Sequence, residues 1–357
     1  MRALRALAIV LPAVLAAGCG PSGATVHPAE SVSPPPVPGS ERPTATPSAT
    51  AEPSLANSPA PSDSPPSTTE SWMPAAPLPS ARSEVAAAVL DGRLYVAGGF
   101  GHLRGTILDE LVAYDPATDA WTTLAPLPEH RHHAALTALD GCLYLTGGAV
   151  AGFAPRANTW RYDPAADAWT ALAPMPEARR AHAAVAVDGR IYVVGGVIQG
   201  LTLQAPTWAY DPASGEWQGD LARLPTYREH LAAVAVDEAV FAVGGRGTDL
   251  VDALERYAPT TDSWTTLPPL PTARGGLTAA VLDGRIHVVG GEGAEPPRVF
   301  REHEVFDVVT GTWSSAPALD RGRHGLGSGV IGDRLYVAAG GPNPDLTTSD
   351  RLDVFAP

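Results

Sequence analysis

The sequence predicts an all-β protein, a six-bladed β-propeller with four-stranded blades. Three observations carry this reading. Tryptophans recur at Trp72, Trp121, Trp169, Trp217, Trp264 and Trp313, at steps of 49, 48, 48, 47 and 49 residues. A period near 50 marks propellers and repeat arrays. Each tryptophan is followed after ten or eleven residues by an arginine (Arg82, Arg131, Arg179, Arg228, Arg274, Arg323) and 16 residues later by a glycine pair, Gly98-Gly99 in the first copy and Ala339-Gly340 in the last. The two ends of the chain also complement each other. The sixth copy stops at Phe355-Ala356-Pro357 without a fourth strand, while the segment around Trp72 is a fourth strand without a blade. Joining them closes the ring and hides the sheet edges, so the last blade is completed by the N-terminal strand.

Within a copy, four short strands can be placed in order. In the third, Ala183 to Val187 is strand-like and ends at Asp188-Gly189, a two-residue hairpin turn. Ile191 to Val194 returns and is closed by Gly195-Gly196. A loop leads to Trp208-Ala209-Tyr210, and Asp211-Pro212 supplies a turn by Asx and proline chemistry. The fourth strand carries Trp217. First strands are rich in small residues, such as Ala86-Ala87-Ala88 and Gly327-Ser328-Gly329, as expected where blades converge on an axis. The large aromatics belong to the outer strands, where wedges widen.

Residues 1–70 have a different character. Arg2 and Arg5 precede an apolar stretch from Ala6 to Leu15, then Ala16, Ala17, Gly18 and Cys19. A charged start, a short apolar core and a small-residue cleavage site read as a signal peptide over residues 1–18. The segment Leu15-Ala16-Ala17-Gly18-Cys19 resembles a bacterial lipobox, with the leucine one place early. The resemblance implies cleavage before Cys19 and lipid on its sulfur. If Cys19 carries lipid, no disulfide can form within this two-cysteine chain, and Cys142 is expected as a reduced strand residue rather than a nucleophile. Residues 20–70 contain 13 prolines among Ser, Thr and Ala and no aromatic residue. Such a segment cannot bury enough apolar surface to offset its ordering entropy. Residues 19–70 are therefore read as a disordered tether, and residues 71–357 as one propeller domain.

The glycine pair, the tyrosine seven residues before each tryptophan (Tyr114, Tyr162, Tyr210, Tyr257, and Phe306 in the fifth copy) and the tryptophan itself resemble kelch repeats. The resemblance covers essentially all of residues 71–357. It implies a binding platform more often than an enzyme. The per-blade Gly-His and Trp-Asp signatures of WD40 repeats are missing: Trp-Asp does not occur and Gly-His occurs once, at Gly101-His102.

Strand order separates two faces. The turns between first and second strands are short and repetitive (Asp91-Gly92, Asp140-Gly141, Asp188-Gly189, Asp283-Gly284). The loops between second and third strands vary. They include Phe100 to Arg104, Phe153 to Arg156 and Glu295 to Arg298. Variable loops on a rigid scaffold are where binding usually resides, so the functional face is placed there. The six repeat arginines begin the innermost strands at that face. They either bond the carbonyls of neighbouring loops or ring the channel mouth as a basic funnel for a carboxylate, sulfate or phosphate. His132, His133, His182, His230 and His324 fall within three residues after a ring arginine, and Glu84 and Glu229 share the layer. Arg82, Arg131, Arg179, Arg228, Arg274, Arg323, His132, His182, His230 and His324 are the candidate ligand-binding residues. Trp160 and Trp208 have no counterpart in other copies, and packing between outer strands is the preferred reading.

Charge and composition limit the partners. The net charge is −14, and residues 71–357 carry 21 arginines against 33 acidic residues. That leaves no electrostatic footprint for nucleic acid. No run of 18 apolar residues occurs, so membrane contact is expected only through lipid on Cys19. The expectation is a monomeric, extracytoplasmic, lipid-anchored module that binds an unknown protein or an anionic or carbohydrate ligand. No cofactor or catalytic residue is assigned, and no metal, because no metal-ligand spacing lies within one strand. The alternative is an exported enzyme on sugar acids. The sialic acid mutarotases are a bacterial kelch family that is six-bladed and exported and uses arginine and glutamate, although no motif beyond the shared propeller selects them.

Overall fold

The computed structural model describes residues 70–357, apart from Arg104, Gln204, Ala205 and Glu295. The expected signal peptide, the tether and Cys19 lie outside these residues. Among them, 24 strands form six four-stranded antiparallel sheets. The first blade uses Ala86–Leu90, Arg93–Ala97, Leu111–Asp115 and Ala120–Leu124, from the axis outward. The last uses Gly327–Ile331, Arg334–Ala338 and Leu352–Ala356, and its outermost strand is Ser71–Ala75. Ser71 lies opposite Ala356 and Ala75 opposite Leu352, so the chain ends do complete one sheet. Each innermost strand packs against the innermost strands of both neighbouring blades, and the ring is closed.

Small residues at the axis are a steric requirement. A Cβ on Gly327 would stand 2.5 Å from Ala87 Cβ, and one on Gly329 would stand 2.3 Å from Val89 Cγ2. Neither approach is tolerable. The glycine pairs answer a different demand. In every blade the second glycine donates its N–H to the carbonyl of the arginine opening the next blade: Gly99 to Arg131, Gly148 to Arg179, Gly196 to Arg228, Gly245 to Arg274, Gly291 to Arg323 and Gly340 to Arg82. At Gly98 and Gly99 φ is +60° and +100°, and added Cβ atoms would meet Arg131 O at 2.2 Å and Ser83 O at 2.5 Å. Only glycine offers both the conformation and the space.

The outer strands are stitched by the tryptophans. Each indole N–H donates to a carbonyl at the exit of the preceding blade: Trp121 to Ala76, Trp169 to Ala125, Trp217 to Ala173, Trp264 to Ala222, Trp313 to Pro268, and Trp72 across the closure to Pro317. Tyr114, Tyr162, Tyr210, Tyr257 and Phe306 pack in tilted contact with the tryptophan of their own blade, ring centroids 5.1–5.3 Å apart. The repeat period is therefore the period of one inter-blade stitch.

One expectation is corrected. Cys142 opens the second strand of the second blade, as read from sequence, and is buried, but it is disulfide-bonded. The expectation of a free thiol at Cys142 does not hold.

The closure also contains an acid-sensitive contact. His287 and His303 hydrogen-bond through their rings at 2.8 Å, and His303 packs on Trp72 and Phe355 of the closing blade. Burial lowers the His287 pKa to about 4 and the His303 pKa to about 3. Unfolded, both would take a proton near pH 6.5. The depressed folded values therefore give stability that is present above about pH 6.5 and is lost as pH falls toward 4. Each histidine contributes up to about 1.4 kcal/mol per pH unit in that window. The urea midpoint is expected to drop between pH 7 and pH 5. A His303→Phe variant, which cannot take up the proton, should show a flatter slope.

Candidate functional site

All six repeat arginines are fully buried. Their side chains run from the start of the innermost strand toward the second and third strands of their own blades. Arg228 pairs with Glu255, Arg274 with Glu304, Arg323 with Asp353, and Arg82 with Glu110. In the second and third blades the place of that carboxylate on the third strand is taken by tryptophan. Arg131 lies 4.8 Å over Trp160 and also pairs with Glu129, and Arg179 lies 3.7 Å over Trp208. Arg179 also donates to the carbonyls of Gly195 and Pro206. Of the two readings of the six arginines, the geometry matches bonding within the scaffold and not a basic funnel at the channel mouth. Guanidinium stacking and buried ion pairing hold these side chains inside the blades. The two unusual tryptophans are their packing partners.

What circles the axis is the residue two places after each arginine. Backbone hydrogen bonds run around it in a closed ring: His133 N–H to Glu84 O, Ala181 to His133, His230 to Ala181, Gly276 to His230, Gly325 to Gly276 and Glu84 to Gly325, all at 2.8–3.1 Å. All six have φ between 51° and 62°. Left-handed backbone is natural for Gly276 and Gly325. For Glu84, His133 and His230 it carries a cost of order 1–3 kcal/mol each. Strained non-glycine residues at such a position turn their side chains onto the axis.

There the three side chains converge. Glu84 Oε2 is 3.3 Å from His133 Nε2 and 3.8 Å from His230 Nε2, and the two imidazole nitrogens are 2.9 Å apart. His324 Nδ1 lies 3.2 Å from the other Glu84 oxygen and 3.5 Å from Glu292. Burial alone would raise the Glu84 pKa, but His133, His324 and His230 hold it well below the usual carboxylate range. Burial works against the His324 cation, yet Glu84 and Glu292 raise its pKa. Burial lowers the His133 pKa well below the ordinary histidine value, with Glu84 opposing it. Glu229 is opposed by burial and drawn down to about 2 by His230 and Arg246. Arg246 bridges Glu229 and Glu292.

These groups floor a cavity of about 970 Å³ on the face of the loops between second and third strands. Phe153, Val197, Leu203, Arg246, Pro297 and Leu346 wall it, from the loops of five blades. On its other side the ring of axis residues caps a narrow channel of about 160 Å³ lined by the small first strands. One cation in the cavity differs from the rest. Arg180 is 6% exposed, lies 5.3 Å from the Phe153 ring, and makes no side-chain hydrogen bond or ion pair with any described residue.

The predicted site residues thus separate by register. His230 and His324 reach the cavity, together with His133, Glu84 and Glu229. His132 turns to His133 and the Val150 carbonyl, and His182 bonds Thr146 in the channel wall. Burial lowers their pKa values to about 4 and about 3. Of the variable loops, Phe153 and Pro297 line the cavity, whereas His102 and Arg298 are not among the cavity-lining residues. Sequence reading passed over Arg180, Arg246 and Glu292. Aligning the six copies on the arginine would have placed Arg180 beside Glu229 and His324, one position after it.

A family model described as KLHDC2/KLHL20/DRC7 Kelch-repeats domain matches residues 63–196 and 176–341. No curated protein matches the sequence. Among solved structures, one titled "Structure of YjhT" is similar, with a TM-score of 0.66 and 18% identity over 77% of this chain and 96% of that chain. That likeness supports the fold alone. With the repeat stitching, the closed six-bladed ring and a family match over most of its length, the chain belongs to the kelch-repeat family.

Proposed function

We propose that the protein is an exported binding module that takes a small anionic ligand, a sugar acid or related carboxylate, in its axial cavity. The observation that carries this is Arg180. The Arg180 guanidinium makes no hydrogen bond or ion pair within the described residues and feels the Glu229 charge only at longer range, so an anion in the cavity would complete it, and its planar fork suits a carboxylate. The apolar wall of Phe153, Val197 and Leu203 beside it suits the carbon face of a sugar. The reading of residues 1–70 as signal and tether belongs to the same proposal, and a disulfide at Cys142 fits an oxidising compartment. Lipid on Cys19 and a disulfide within one chain would need the same sulfur. Intact mass before and after reduction decides which it carries.

A thermal-shift panel of hexuronates, sialic acid and their neutral sugar counterparts tests the reading. Acids are expected to raise the melting temperature and the neutral sugars are not. Arg180→Ala is expected to weaken acid binding by about 10–100-fold, the worth of a charge-assisted hydrogen bond. Equal binding of acids and neutral sugars, or an unchanged affinity in the variant, contradicts it. A second reading, an enzyme on sugar acids, draws on Glu229 and His230 lying beside Arg180 as an acid–base pair. Polarimetry on the same acids separates the two, since only an enzyme accelerates mutarotation and loses that in Glu229→Gln.

A further inference from the structure

We propose that Glu84, His133 and His230 form a site for one divalent transition-metal ion, with zinc the best match, at the floor of the axial cavity. The sequence reading assigned no metal because no ligand spacing lies within one strand. The convergence comes instead from equivalent positions in three blades, 49 and 97 residues apart. One atom from each residue, Glu84 Oε2, His133 Nε2 and His230 Nε2, forms a triangle with edges of 2.9, 3.3 and 3.8 Å. Ligands about 2.0–2.1 Å from a tetrahedral zinc stand about 3.3 Å from each other. The triangle brackets that value, so an ion requires shifts of only a few tenths of an ångström.

The surroundings supply what an isolated cluster lacks. His230 directs its Nδ1 at the Glu229 carboxylate, which Arg246 holds from the other side. His133 directs its Nδ1 at His132. Both imidazoles are thus oriented with Nε2 toward the common point, as in carboxylate–histidine–metal arrangements. His324 fixes the second oxygen of Glu84. The ring of backbone hydrogen bonds fixes the three Cα positions, at a conformational cost that two glycines in the same ring avoid. Three protein ligands facing a cavity leave the fourth position open, which is the pattern of a reactive or ligand-exchanging site rather than a closed structural one.

The inference is independent of the anion reading, because it concerns groups other than Arg180. The test uses the full purified chain, stripped with a chelator and titrated with zinc alone by calorimetry, then loaded with cobalt(II) for visible spectroscopy. One ion per chain and a tetrahedral cobalt spectrum are expected. Glu84→Gln and His133→Asn (asparagine also accepts left-handed backbone) should abolish that stoichiometric binding. Glu229→Gln, which removes only the carboxylate behind His230, should weaken it by about 10–100-fold. His102→Ala, in an exposed loop outside the cavity lining, should change nothing. If the ligand variants fail to fold, the wild-type cobalt spectrum still decides. Absent zinc binding, an octahedral spectrum, or equal affinity in Glu229→Gln and wild type overturns the site. Arg180→Ala supplies no ligand to the ion and should keep one zinc per chain, with affinity unchanged or raised by loss of a nearby positive charge, so failure here and failure of the anion reading are distinguishable.

Discussion

Replacing Glu255 by alanine is expected to destabilise the propeller by about 3–5 kcal/mol, the cost of leaving one member of a buried ion pair alone. Arg228 and Glu255 have side-chain exposures of 0% and 1%. Glu255 also accepts from the N–H and hydroxyl of Thr226. After truncation the guanidinium keeps only the carbonyls of Thr226 and Ala242, with no carboxylate and no route to water. Urea unfolding at pH 7 measures the loss. The second and third blades suggest a partial rescue. Trp160 and Trp208 occupy the same place on their third strands beneath Arg131 and Arg179, so Glu255→Trp should lose less than Glu255→Ala. By contrast, Asp115→Ala breaks the half-exposed pair with Arg93 and the exposed turn bond from Ala117 N–H, and should cost only about 1–2 kcal/mol.

Deleting Ser71–Ala75 is expected to have a comparably large effect by a different route. The deletion removes the outermost strand of the sixth blade and Trp72, whose indole N–H crosses to Pro317. It strips the packing from His303 and Phe355 and leaves Leu352–Ala356 as an open edge. An exposed edge strand pairs with other chains. Light scattering should show self-association of the deleted protein, and hydrogen exchange should accelerate at residues 352–356. A monomeric product with an unchanged unfolding midpoint would contradict the closure as the main brace of the ring.

The architecture was legible because its determinants repeat. The arginine, glycine pair, tyrosine and tryptophan each perform one inter-blade or intra-blade job six times or nearly so, and periodicity reveals a job performed that often. The incomplete sixth copy and the orphan strand at Trp72 made the closure readable as well. The direction of the arginine side chains was not legible. Position at the start of an innermost strand is compatible with pointing either along the axis or into the blade, and the partners that decide it, Glu304 or Trp208, lie about 30 residues away on the third strand. The site was half legible. The histidine enrichment marked the right layer, but adjacent residues there serve different purposes. His132 supports, His133 converges, and His182 belongs to the channel wall. Arg180 escaped notice because it breaks the repeat instead of following it.

The central claim is that this break in the repeat, and not the repeated ring, is where the ligand binds. Arg179 and Arg180 are adjacent in sequence, yet one is held inside a blade beneath Trp208 and the other faces the cavity. Calorimetric titration of a hexuronate into Arg179→Ala and Arg180→Ala, each alongside its urea midpoint, separates their roles. The account predicts that Arg179→Ala lowers the midpoint and leaves affinity in the folded protein unchanged, while Arg180→Ala keeps the midpoint and loses affinity. The reverse pattern, with affinity lost at Arg179 and kept at Arg180, would contradict it.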